Sequence, residues 1–95
     1  MVRQFYVLVD NHFKEKKMVQ DYANMLHRSP KTLSNLFTTC GLPSPLRIIH
    51  ERIEAEAKRL LLYSQKSAKE ITEILGFEDQ ATFSRFFKKM TGESV

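Results

Sequence analysis

The chain has 95 residues, 42% of them hydrophobic, which is enough for one small core or two small lobes, so the chain need not be disordered. Its 15 basic and 11 acidic side chains leave a net charge of +4, which permits a polyanionic partner without demanding one. No apolar run approaches the ~20 residues of a membrane span, and no signal-peptide pattern opens the chain, so a soluble cytoplasmic protein is expected. The single cysteine, Cys40, excludes an internal disulfide and a multi-cysteine zinc site. It is read as a small apolar core residue.

The pattern is helix after helix, without a strand or hairpin signal. Val2, Phe5, Leu8, Val9 and Phe13 recur at three- and four-residue steps, the apolar face of a first helix. The basic stretch from Lys14 to Lys17 ends it. A short helix follows with Val19, Tyr22, Ala23 and Leu26 on its apolar side. Ser29-Pro30 pairs an N-cap residue with a proline at the first helical position, where the missing N–H costs nothing. Ser44-Pro45 repeats that start before a long helix over 44–63. Its apolar face holds Leu46, Ile49, Ile53, Ala57, Leu60 and Leu61, and charges ring the rest. Ser67 and Glu70 form a capping box. Gly76-Phe77 stops the helix that they start, and Asp79 caps the next. The count is six helices.

Charge and repetition carry the functional signal. Between Lys14 and Arg47 the basic residues are Lys14, Lys16, Lys17, Arg28, Lys31 and Arg47, against Glu15 and Asp21 alone. This third of the chain therefore holds an excess equal to that of the whole. Two helices also match at an offset of 50 residues. One buries Leu33, Leu36, Phe37 and Cys40. The other buries Phe83, Phe86, Phe87 and Met90. At about 100° per residue, the opposite faces hold Lys31, Ser34, Asn35 and Thr38 in one and Ala81, Ser84, Arg85 and Lys88 in the other. A shorter amphipathic helix precedes each, Val19–Leu26 and Ala68–Leu75, and the second connection is one residue longer. Short helix, tight turn and polar-faced second helix describe a helix-turn-helix, whose second helix enters a DNA major groove. Arg can read guanine there, Asn or Gln adenine, and Ala or Thr methyls the thymine methyl. One copy is a weak signal. Two copies joined by a long helix are a strong one.

The segment from Ile71 to Gly92, ITEILGFEDQATFSRFFKKMTG, resembles the signature of the AraC/XylS family of bacterial transcription regulators. Tyr22-Ala23, Ser29-Pro30, Leu33-Ser34 and Leu36-Phe37 resemble the family's first unit, and Ile53 through Leu62 resembles its linker helix. The resemblance thus spans nearly the whole chain. It implies an all-α DNA-binding domain with two helix-turn-helix lobes, 1–43 and 64–95, joined by a linker helix, 44–63. It also implies recognition helices in successive major grooves, about 34 Å apart. Base contacts would come from Lys31, Thr32, Ser34 and Asn35, and from Gln80, Ala81, Thr82, Ser84 and Arg85. Arg28, Ser29, Thr38, Arg47, Lys88 and Lys89 would meet phosphates. The family's habits further imply activation through RNA polymerase and an effector or dimerisation domain elsewhere in a longer protein. Three departures stand out. Thr72 replaces the usual alanine, Gly41 follows Phe37 one residue early, and the sequence stops at Ser94-Val95. The family continues there into a seventh helix, which is expected to be missing.

Blander readings apply to several residues. Arg85, Asn35, Gln80 and Thr82 could be ordinary surface residues, and the lysines a solvated face. Tyr22, Phe37, Phe77 and Phe87 read as core, so aromatic stacking on bases is not invoked. His12, His27 and His50 lack metal-ligand spacing. No phosphate-cradling glycine loop or nucleophile arrangement appears, so neither an enzyme nor a cofactor is expected. The competing reading is a helical module that grips a protein through its polar faces or Leu62-Tyr63.

Overall fold

The computed structural model describes residues 1–94; Val95, the last residue of the expected second lobe, lies outside them. They form α1 (Val2–His12), α2 (Val19–Met25), α3 (Pro30–Thr39), α4 (Pro45–Tyr63), α5 (Ala68–Ile74) and α6 (Gln80–Thr91), with no strand among the described residues. The all-α expectation and the six helices hold. The chain divides into two compact units, Met1–Arg52 and Ile53–Val95, with the boundary inside α4.

Local chemistry starts most of these helices. Ser29 caps α3, its hydroxyl accepting from the Thr32 amide at 3.1 Å, with Pro30 in the first turn. The Ser44 hydroxyl accepts from the Arg47 amide at 3.2 Å at the start of α4. At α5 both halves of the Ser67–Glu70 capping box are made, at 3.1 and 3.0 Å. The Asp79 carboxylate caps α6 through the Thr82 amide at 2.7 Å. Each bond satisfies a backbone donor that a helix N-terminus leaves open. The α2–α3 connection runs over residues 26–29 and the α5–α6 connection over 75–79. The second is one residue longer, as the sequence spacing predicts.

In the first unit, α1 contributes Phe5 and Val9, α2 Tyr22 and Ala23, α3 Leu33 and Phe37, and α4 Ile48 and Ile49; all are buried, as is Phe13 just past α1. Phe5 meets Tyr22 and Phe37 edge-on, with ring centroids at 5.5 and 5.1 Å, the geometry that aromatic quadrupoles favour. The Tyr22 hydroxyl donates to the Lys16 carbonyl at 2.6 Å and ties down the basic loop after α1. Arg52 covers the Phe13 ring at 4.3 Å and pairs with Asp10 at 2.9 Å. In the second unit, Ile53, Ala57 and Leu60 of α4 are buried, with Ile71 and Leu75 from the α5 segment and Phe83 and Phe87 of α6. Phe77 lies 5.4 Å from both Phe83 and Phe86. It is half-buried, so the core reading applies to it only in part.

Other sequence expectations also change. Cys40 is exposed. It is the C-cap residue of α3, and Gly41 at φ 71° turns the chain there. The helical period that placed it beneath Phe37 has already ended. Leu46 is 44% exposed while Ile48 is 6% exposed, so the first turn of α4 presents a different stripe to the core. Met90 and Leu36 are half-buried. Thr72, the unusual residue in place of alanine, is buried, yet its hydroxyl donates to the Ala68 carbonyl at 2.8 Å and leaves nothing unsatisfied.

Candidate nucleic-acid interface

The candidate surface is built separately in each unit. In the first, burial of Leu33 and Phe37 fixes the rotation of α3. Lys31, Thr32, Ser34, Asn35 and Thr38 are consequently exposed, with Arg28 and Ser29 exposed at the helix entrance. Ser29 and Thr32 are not free hydroxyls. Their oxygens lie 2.8 Å apart, and Ser29 also caps the helix. Lys31, Ser34, Asn35 and Thr38 thus hold the most available side chains of this face. Arg47 projects from α4 of the same unit but is already engaged, its Nε 2.8 Å from a Glu51 carboxylate oxygen. Spacing of i,i+4 made that pair visible in the sequence, though the phosphate expectation left it out.

In the second unit, burial of Phe83 and Phe87 turns α6 so that Gln80, Ala81, Arg85, Lys88 and Lys89 are exposed, while Thr82 and Ser84 are half-buried. Arg85 reaches back towards Thr82, Nη2 to Oγ1 at 3.4 Å. The Asp79 carboxyl sits below its ordinary range, chiefly through hydrogen bonds from the Thr82 backbone and side chain, with help from the Arg85 charge. It stays ionised at neutral pH and sets a negative charge at the entrance of α6. The neutral Ser29 occupies the same place at α3. Sequence reading took Asp79 only as a cap and missed its charge near Arg85.

The units also differ in overall charge. Residues 1–52 contain eight basic and four acidic side chains, and residues 53–95 seven of each. The first unit therefore carries the whole +4 of the chain. Among the described residues no group of three or more metal-ligating side chains occurs, and no helix is long and apolar enough to cross a membrane. Leu62 and Tyr63, the residues of the competing protein-contact reading, are strongly exposed.

Each unit thus presents a polar-faced helix behind a short helix and a tight turn. Residues 22–95 match the family described as a helix-turn-helix domain. The chain belongs to this family, in its AraC-type branch. It is 30% identical over 84 residues to the HTH-type transcriptional regulator YobQ of Bacillus subtilis, covering 88% of this chain and 35% of the relative. It is 32% identical over 76 residues to the raffinose operon transcriptional regulatory protein RafR of Pediococcus pentosaceus, covering 80% of this chain and 27% of the relative. This AraC-type chain thus spans about a third of the length of the curated relatives it matches. Among solved structures it superposes on the C-terminal domain of AraT, a response regulator from Geobacillus stearothermophilus. The TM-score is 0.84 at 29% identity, over 98% of this chain and 78% of that one. The C-terminal domain of the response regulator YesN from Fusobacterium nucleatum shares the fold, with a TM-score of 0.83 at 24% identity, over 97% and 90% of the two chains. This is a family of DNA-binding transcription regulators.

Proposed function

We propose that this AraC-type chain binds double-stranded DNA sequence-specifically, with α3 and α6 in successive major grooves, and so regulates transcription. The observation that carries this reading is the repeated placement of the polar faces of α3 and α6 in solvent, each fixed by two buried residues at the same helical spacing. Lys31, Thr32, Ser34 and Asn35 on α3 read one groove. Gln80, Ala81, Thr82, Ser84 and Arg85 on α6 read the next. Arg28, Ser29, Thr38, Arg47, Lys88 and Lys89 neutralise or hydrogen-bond phosphates. The units take the expected roles of two lobes, 1–43 and 64–95, with 44–63 as the linker helix. In a longer protein, an effector or dimerisation domain controls this binding, and RNA polymerase is the partner through which transcription is activated. The site of action is then the cytoplasm, at the nucleoid.

The test is a mobility-shift titration of the 95-residue chain on random-sequence duplexes at several salt concentrations. Counterion release predicts that log affinity falls by about 0.9 per phosphate neutralised as log salt rises. No salt-sensitive shift at low ionic strength would remove the DNA reading and leave the exposed Leu62-Tyr63 pair as a protein-contact surface.

A further inference from the structure

Both units turn into their second helix through a residue in left-handed conformation. In the second unit it is Gly76, at φ 76°; in the first it is His27, at φ 57°. The hydrogen bonding around the two is the same. The His27 amide donates to Asn24 at 3.2 Å and the Arg28 amide to Ala23 at 2.9 Å, while the Gly76 amide donates to Glu73 at 3.1 Å and the Phe77 amide to Thr72 at 3.1 Å. A β-carbon disfavours this backbone conformation and glycine does not. His27 is the one non-glycine residue at positive φ among the described residues, so the second unit acts as an internal control for the first.

Among the described residues, no side-chain interaction compensates for the histidine. Its side chain is exposed, and among the described residues the imidazole makes no hydrogen bond or ion pair. The backbone of His27 closes α2, but a left-handed residue whose side chain has no partner in the fold is a candidate for function. The neighbourhood indicates which kind. His27 precedes Arg28, Ser29 and Lys31, and no acidic residue lies between positions 22 and 50. The Arg28 guanidinium donates to the His27 carbonyl at 3.3 Å, which keeps that cation beside the turn. An imidazole N–H next to these cations suits an anionic oxygen.

We propose that His27 is a DNA-backbone contact: the first unit accepts a strained turn to place an imidazole against a phosphate just ahead of α3. This rests on the DNA-binding reading above. His27→Gly is the direct test, measured as affinity for a selected duplex and a random duplex, with the melting temperature alongside. Glycine suits this backbone, so the melting temperature is expected to hold or rise. Affinity is expected to fall about three- to tenfold on both duplexes, the scale of one solvent-exposed hydrogen bond of about 1 kcal/mol. His27→Asn, which takes the left-handed backbone as His does and keeps a side-chain N–H, is expected to lose less. Unchanged affinity in His27→Gly at equal or higher stability would overturn the proposal. So would a loss confined to the selected duplex, which would make His27 a base reader. If the unaltered chain bound neither duplex, the DNA reading itself would fail, an outcome distinct from either of these.

Discussion

Arg47 offers one cation to both Glu51 and a phosphate, and any competition between the two has a measurable size. The pair is short, 2.8 Å between Nε and Oε1, but its side chains are 71% and 49% exposed. Solvent screening limits such a pair to about 0.2–1 kcal/mol. If Arg47 must release Glu51 to bind DNA, Glu51→Gln removes that cost, and affinity rises by at most about fivefold. Arg47→Ala should weaken binding and lower the salt slope by about 0.9, one phosphate's worth. Removing a negative charge near DNA also helps in a general way, and the double variant separates the two effects. In the Arg47→Ala background, Glu51→Gln should give little or no gain. Titrations of all four proteins on one duplex across a salt series complete the cycle. A Glu51→Gln gain that persists undiminished without Arg47 would refute the competition, and an unchanged slope in Arg47→Ala would remove Arg47 from the phosphate contacts.

Three further outcomes are expected. Arg85→Ala should weaken a selected duplex by about 1–3 kcal/mol and leave a random duplex nearly unaffected; equal losses in a competition titration would make Arg85 a phosphate contact. Tyr22→Phe should lose about 1 kcal/mol of stability at neutral pH, for the hydrogen bond to Lys16. Burial and the charges of Asp21 and Glu15 push the Tyr22 hydroxyl up to about 12, against about 10 when unfolded. The protonated tyrosine therefore stabilises the fold fully below pH 10, and that contribution fades as pH climbs through 12. In urea denaturation the advantage over the phenylalanine variant should shrink across that range; a constant difference would contradict it. Cys40→Ala should stay within about 0.5 kcal/mol of the original chain, while Phe37→Ala should cost about 3–5 kcal/mol; a costly Cys40 change in the same denaturation assay would return it to the core.

The parts of this protein that were legible in its sequence are those decided within a few residues. Ser29-Pro30, Ser67 with Glu70, and Asp79 declare helix starts because each side chain bonds an amide three residues away. The paired stripes of Leu33 and Phe37, and of Phe83 and Phe87, fix the outward faces for the same local reason. Features that depend on where a helix stops, or on tertiary fit, were not legible. Cys40 matched the apolar period but fell past the last turn, and Ile48 displaced Leu46 from the core. Glu56, one of the charged residues of α4, is buried, with Arg59 gripping its carboxylate through two hydrogen bonds. The left-handed backbone of His27 carries no sequence mark beyond its alignment with Gly76. In the candidate surface, the Ser29 cap and the i,i+4 spacing of Arg47 and Glu51 were readable, whereas the contact between the Ser29 and Thr32 hydroxyls was not.

The most direct test of the central claim is a hydroxyl-radical footprint of the chain on a duplex selected from a random library. If α3 and α6 occupy successive major grooves, protection should appear as two clusters about 10–10.5 base pairs apart on one face of the helix. Arg85→Ala should weaken only one of them. A single protected cluster, or two on opposite faces of the duplex, would contradict the account.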